Sequence, residues 1–282
     1  MWSNFHMHTP YCDGKSESRD YLEQAEKLNM PSIGFSSHAP VPFPTKWCMK
    51  AESLKDYLNE IQNLKKAGSS VEIYTGLEVD FIPGLVSPNL FRYQLDYTVG
   101  SIHFVEKIPD GPYWEIDGTH AIFLEGFSKI FNNNIKEATA RYFELTREMI
   151  STACPTVIGH LDKIKIQNPG EKFFKETDNW YFNQVKETID VIHASGAIVE
   201  VNTRGIYQKK SHTTYPSPWI LEMVHAKNIP VTISSDAHHR EDIINQFPET
   251  ALLLKKIGFR TISVLSEGVW KPFAFDQHGI KP

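Results

Sequence analysis

Two histidines separated by one residue stand close to the start of the chain. His6 and His8 lie in residues 3–10, which read as a β-strand, and the two-residue period puts both imidazoles on one face, with Phe5 and Met7 on the other. Asp13 follows a short turn later. The same residue types recur down the chain: His38, Glu78, His103, His160 with Asp162 close behind it, and Asp236 with His238. Imidazole and carboxylate without a thiolate cluster suit Zn²⁺, Mn²⁺ or Fe²⁺. The set is too large for one ion. A carboxylate such as Glu78 can bridge two, and such clusters hold a bridging hydroxide at neutral pH.

These residues can meet only if the fold gathers them. Apolar residues Tyr21, Leu22, Ala25 and Leu28 have helical spacing within residues 18–29, and residues 53–67, 135–150, 179–195, 218–227 and 249–257 are further expected helices. Between them, residues 32–36, 71–78, 97–101, 156–159, 197–201 and 230–234 read as strands, and residues 261–264 as a short one before a tail. Strand and helix alternating at this spacing mean a parallel sheet, which with about seven units can close into a barrel. An open doubly wound sheet is the alternative, weakened by the lack of a Gly-x-Gly-x-x-Gly turn. In a barrel every candidate ligand falls at or just after the C-terminal end of a strand, on one face, where active sites form. The expected architecture is α/β, one domain over residues 1–282.

On the sixth strand Ile198, Glu200 and Asn202 share one face and Arg204 follows. Arginine offers a planar fork of donors that suits phosphate, so Arg204 beside a metal cluster is a phosphate-clamp candidate. Residues 39–50, rich in proline and carrying Phe43 and Trp47, read as a long loop able to cover a site, and residues 104–134 as an insertion after a strand.

Composition narrows the partners. The chain has 282 residues, 41% hydrophobic and 22% charged, with net charge −5. No overall basic field for nucleic acid is present. Lys209–Lys210 and Lys255–Lys256 read as solvated surface pairs. An odd number of cysteines (Cys12, Cys48, Cys154) without regular spacing argues against a disulfide framework and for a reducing compartment. No apolar run approaches a membrane span and no signal peptide is visible, so a cytoplasmic protein is expected.

The pattern His6-x-His8, Asp13, His38, Gly76-Leu77-Glu78, Ser101-Ile102-His103, Gly159-His160-Leu161-Asp162 and Ser235-Asp236-Ala237-His238 resembles the PHP (polymerase and histidinol phosphatase) family. The phrases Gly34-Phe35-Ser36-Ser37-His38-Ala39-Pro40 and Val201-Asn202-Thr203-Arg204-Gly205 look like its stand-alone histidinol-phosphatase branch. The resemblance implies a distorted (β/α)7 barrel and three divalent ions (Zn, Mn or Fe). One ion takes His6, His8, Glu78 and Asp236; a second shares Glu78 and takes His103 and His160; a third takes Asp13, His38 and His238. It implies hydrolysis of L-histidinol phosphate to L-histidinol and phosphate, in histidine biosynthesis, by a metal-bound hydroxide. Arg204 then neutralises the phosphoryl oxygens, and water on Asp13 or His238 is the expected proton source for the leaving alkoxide. Trp114 and Glu115, in a segment that also holds Asp117, are the expected contacts for the substrate's imidazole and amine. Three other readings compete: a PHP-type phosphoesterase acting on another phosphate monoester or a nucleotide, a metal-dependent amidohydrolase, and a metal-binding scaffold without turnover. The oligomeric state is left open.

Overall fold

The structure is a computed structural model describing residues 1–91 and 95–281. In chain order the strands are β1 (Ser32–Phe35), β2 (Glu72–Asp80), β3 (Tyr97–Ser101), β4 (Phe104–Lys107), β5 (Tyr113–Glu115), β6 (Val157–Ile158), β7 (Ile198–Asn202), β8 (Val231–Ser234), β9 (Thr261–Ser266), β10 (Val269–Asp276) and β11 (Gly279–Lys281). The helices are α1 (Ser18–Lys27), α2 (Leu54–Lys66), α3 (His120–Phe131), α4 (Ile135–Ala153), α5 (Asn179–Ser195), α6 (Arg204–Tyr207), α7 (Pro218–Ala226) and α8 (Phe247–Ile257).

β1, β2, β3, β6, β7 and β8 form a parallel sheet in that order. Residues 4–8 join its two edges. Asn4 bridges Ile33 on β1, and Met7 bridges Ala237 just beyond β8. The bonds alternate in direction: Gly34 N–H donates to Asn4 O (2.9 Å), while His8 N–H donates to Ala237 O (2.8 Å) and Ala237 N–H to His6 O (3.0 Å). The curled sheet is thus a distorted TIM-like barrel closed by the opening segment.

That segment is not the regular strand expected over residues 3–10. It makes isolated bridges because polar side chains occupy its backbone donors: Asn4 Oδ1 accepts from His6 N–H (3.0 Å), Ser36 Oγ from Met7 N–H (3.3 Å) and Ser37 Oγ from Thr9 N–H (3.0 Å).

Aromatic packing fills the barrel below the polar rim. Tyr97 donates its hydroxyl to Phe5 O (2.8 Å), and Phe5 packs edge-on against Trp270 at 5.0 Å between ring centroids. The Tyr97 ring lies where a Cβ on Gly34 or Gly76 would stand, 2.5 Å from its nearest atom in each case. Those two glycines give β1 and β2 room for it.

Two expectations for the flanking segments change. The insertion after β3 is a two-stranded antiparallel hairpin, β4–β5, followed by helix α3. Thr119 caps α3 by accepting from Ile122 N–H, and Asn134 caps α4 by accepting from Lys136 and Glu137 N–H. The expected short strand at 261–264 and tail are a three-stranded antiparallel sheet, β9–β10–β11. Within residues 81–96, which read as irregular from sequence, the described residues hold a 3₁₀ turn at Pro88–Leu90, and residues 92–94 lie outside the described residues. No disulfide forms among the three cysteines, and no described helix is long and apolar enough to cross a membrane.

Candidate metal centre and cleft

Period-two geometry on β2 and β7 builds the centre. Glu78 and Asp80 share one face of β2, and Glu200 and Asn202 share one face of β7, so each strand sends two polar groups into the rim. All four are buried. Buried charge is tolerated only when paired, and here each carboxylate faces imidazoles or donors.

Glu78 is the hub. Its Oε2 lies 3.1 Å from His6 Nε2, 3.5 Å from His8 Nε2 and 2.9 Å from His38 Nδ1. Its Oε1 lies 2.8 Å from His160 Nε2 and 3.7 Å from His103 Nε2, and accepts from Ser101 Oγ (2.6 Å). Asp236 Oδ1 lies 3.1 Å from His8 Nε2. Asp13 Oδ1 lies 3.1 Å from His238 Nε2 and 3.8 Å from His38 Nε2.

Ligand atoms within 4.8 Å of one another fall into three overlapping groups: His6, His8 and Asp236; His38, Glu78 and His103; and His8, Asp13, His38 and His238. His160 reaches the second through Glu78. The structure therefore brings together all the residues expected as ligands. The groups differ from the expected partition: His8 and His38 each fall in two groups rather than one, Glu78 falls in one rather than two, and His160 falls in none of the three.

The donor chemistry fits divalent ions. His6 Nε2, His8 Nε2, Asp13 Oδ1, His38 Nδ1 and Glu78 Oε2 are buried and lack hydrogen-bond partners. Orphaned atoms at this density are costly unless something coordinates them. The surrounding carboxylates orient the rings. Glu200 bonds His6 Nδ1 and Asp80 faces His103 Nδ1, which leaves Nε2 of both rings pointing inward as the nitrogen that can coordinate once its proton is displaced. Glu200 also accepts from the Ser234 hydroxyl and from His160 N–H (2.6 Å), tying three strands to one carboxylate.

Electrostatics follow the same map. Burial pushes the His6 imidazole down, but Glu200, Asp236 and Glu78 outweigh it and hold the ring well above its usual range. His103 is likewise depressed by burial and raised by Asp80, Asp117 and Glu78, ending at about 10. Burial disfavours the Glu78 anion, yet His38, His6 and His103 hold its carboxyl well below the usual range. His8 goes the other way, lowered by burial and by His238 and His38.

A cleft opens above the centre, lined by Asp13, His38, His103, Asp236 and His238 from the rim and by Trp47, Glu115, Asp117, Lys163, Arg204, Lys210 and Tyr215 from the loops. Its accessible volume is about 200 Å³, enough for a small molecule. Arg204 begins α6. Its Nη1 donates to Asp236 O (2.6 Å) and touches His238 Nδ1, so it braces the β8 end as well as facing the cleft.

Glu115 lines the cleft; Trp114 does not. Trp114 is 0% exposed, and its Nε1–H donates to Phe123 O (3.0 Å). Its ring packs at a tilt against Phe123 and Phe131 and presses on Gly126, so it anchors α3 rather than meeting a ligand. Alternation on β5 turns neighbours to opposite sides, which is why one residue of the pair faces in and the other out. Lys210, read from sequence as part of a solvated pair, instead lines the cleft.

Sequence reasoning missed Asp80, Lys163 and Lys210 as cleft or centre residues, and named Glu200 without a role. Asp80 carried a signal, since it stands two residues after Glu78 on a strand; Lys163 carried none beyond following His160 closely.

The chain is 26% identical to the "Probable histidinol-phosphatase" of Deinococcus radiodurans over 92% of this chain and 94% of that one. It is 28% identical to the "Histidinol-phosphatase" of Bacillus subtilis, over 84% and 94%. Its fold matches a solved structure from Listeria monocytogenes with TM-score 0.75 at 20% identity, covering 88% of this chain and 99% of the other. It also matches histidinol phosphate phosphatase from Lactococcus lactis, solved with zinc, L-histidinol and phosphate, with TM-score 0.70 at 18% identity over 100% and 99%. The sequence model of the PHP domain covers residues 4–204, from the segment that closes the barrel to the arginine over the cleft, and the chain belongs to the PHP domain family.

Proposed function

We propose that the chain is a metal-dependent phosphoric monoester hydrolase acting on L-histidinol phosphate. The observation that carries this is the convergence of orphaned imidazole and carboxylate atoms beneath a cleft whose wall holds Arg204, Lys163 and Lys210. The names of the Bacillus and Deinococcus relatives support the substrate, as do the ligands of the Lactococcus structure.

In this reading three ions would be held by His6, His8, Glu78 and Asp236; by Glu78, His103 and His160; and by Asp13, His38 and His238. Zn²⁺, Mn²⁺ and Fe²⁺ all suit the donors. Bound there, they supply Lewis acidity and lower the pKa of water to near neutrality. The chain's own groups do the rest. Arg204 orients the phosphoryl oxygens and offsets the charge that grows on them as the ester bond breaks. Water held at Asp13 or His238, whose Oδ1 and Nε2 lie 3.1 Å apart, is the proton source for the departing alkoxide. Glu115, which lines the cleft together with Asp117, takes the substrate's ammonium or imidazole.

The test is phosphate release from L-histidinol phosphate and from a panel of monoesters and nucleotides, on protein whose ions have been counted. Preference for histidinol phosphate, lost on chelation, is the expected result. Equal rates across the panel would reject the substrate assignment.

A further inference from the structure

The cleft holds charges of both signs. Three cations line it: Arg204 at the start of α6, Lys210 in the loop after it, and Lys163 just after His160. Burial together with Arg204 and Lys163 pushes the Lys210 ammonium below its ordinary range. Two acids line it as well, Glu115 at the end of β5 and Asp117 beyond it. Burial and then Asp117 push the Glu115 carboxyl up.

One cation and one acid of this set lie close together. Lys163 Nζ lies 3.6 Å from Asp117 Oδ2. Lys163 is 6% exposed, and an ammonium so enclosed needs a counter-charge. Yet 3.6 Å is beyond hydrogen-bond length, so the pair neutralises charge without locking geometry. The Tyr215 ring lies 5.8 Å from the same ammonium. Asp117 Oδ2 also stands 3.9 Å from His103 Nε2, which places the pair directly over the metal centre.

Such a pair can be exchanged. A ligand bearing only a phosphate that draws Lys163 away leaves Asp117 over the centre without its cation. A ligand bearing phosphate and ammonium on adjacent carbons supplies both partners at once, turning one loose ion pair into two closer ones. We propose that Asp117 and Lys163 read substrate charge together: Lys163 joins Arg204 on the phosphate, Asp117 takes the ammonium, and the pair separates on binding. The inference rests on the phosphatase reading above and adds a specificity device to it. Discrimination against plain monoesters comes from the penalty of stranding Asp117 as much as from the new contact.

The experiment uses the metal-loaded protein and the variants Asp117→Asn, Lys163→Met and Lys163→Arg. Histidinol phosphate is compared with phenyl phosphate, which has no amine, and inorganic phosphate serves as inhibitor. Charge-assisted hydrogen bonds of this kind are worth about 10-fold or more in affinity. In Asp117→Asn the ratio of kcat/KM for histidinol phosphate over phenyl phosphate falls about 10-fold, with the ion count unchanged. In Lys163→Met the inhibition constant for phosphate rises about 10-fold while that ratio holds, and Lys163→Arg restores binding. An unchanged ratio in Asp117→Asn, or loss of an ion from it, overturns the proposal, as does unchanged phosphate inhibition in Lys163→Met. Should the parent protein hydrolyse neither ester, the phosphatase reading itself falls and this inference with it. A parent that turns over both esters beside silent variants removes this inference alone.

Discussion

Asp80 sets both carboxylate oxygens 3.2 Å from Nδ1 of His103 and accepts the same residue's backbone N–H at 2.8 Å. One carboxylate thus fixes a ring's rotation, its tautomer and the turn that carries it. Glu200 likewise bonds His6 Nδ1, while the His6 backbone N–H donates to Asn4 Oδ1 (3.0 Å). Neither acid is an expected ligand, but each decides which nitrogen of its histidine is free to bind.

Removing that orientation weakens metal binding without deleting a ligand. Asp80→Asn and Glu200→Gln are each expected to lower affinity for the ion held by the oriented ring about 10- to 100-fold. Competition with a chromophoric chelator measures the affinity. An unchanged affinity in both variants would show that packing alone holds the rings.

The metal-free protein has a predictable pH dependence. His103 is raised from 6.5 to about 10 in the fold, by Asp80, Asp117 and Glu78 acting against burial. A folded-state value above the unfolded one means the proton is bound more tightly in the native state. The stability it contributes is complete below pH 6.5 and is lost as pH rises through about 10. The Tm of chelated protein should therefore fall between pH 7 and 10, and fall less steeply in Asp80→Asn. Zinc competes for the same nitrogen, so its affinity should rise over that window. A flat Tm across the range would refute the pairing.

Much of this centre was legible because strand ends announce themselves. His38, Glu78, His103, His160 and Asp236 each follow a short β-branched or aromatic run, and the parallel alternation forces those ends onto one rim. The opening segment hid its irregularity, because hydroxyls from Ser36 and Ser37 replace ladder partners only once β1 has folded beside it. Helix α3 was hidden too. Its buried residues Phe123, Phe127 and Phe131 recur every four positions, but Gly126 among them reads as a breaker until Trp114 is seen to press against it. Lys163 and Lys210 were illegible for a different reason. A lysine's role depends on which wall its loop faces, and sequence does not encode that locally.

Arg204 links the cleft to the rim through its 2.6 Å bond to Asp236 O. Arg204→Ala removes both a phosphate donor and that brace. It is expected to reduce kcat/KM on histidinol phosphate about 10- to 100-fold and to weaken inhibition by inorganic phosphate comparably. Arg204→Lys restores charge but not the planar fork, so it should recover only part of the loss. Normal phosphate inhibition in Arg204→Ala would make the residue a brace alone.

Trp114 and Glu115 are adjacent yet should fail in opposite ways. Truncating an enclosed tryptophan costs about 3–5 kcal/mol, so Trp114→Ala should unfold α3 and the hairpin, visible as a large drop in Tm. Trp114→Phe keeps most of the packing and should lower Tm modestly without altering the preference between substrates. Glu115→Gln leaves the packing intact and removes a charge from the cleft. Its Tm should hold, while KM for histidinol phosphate rises more than KM for phenyl phosphate. Equal changes for the two esters would place Glu115 outside the substrate's amine and imidazole, and would leave Asp117 as the acid in the cleft that meets them.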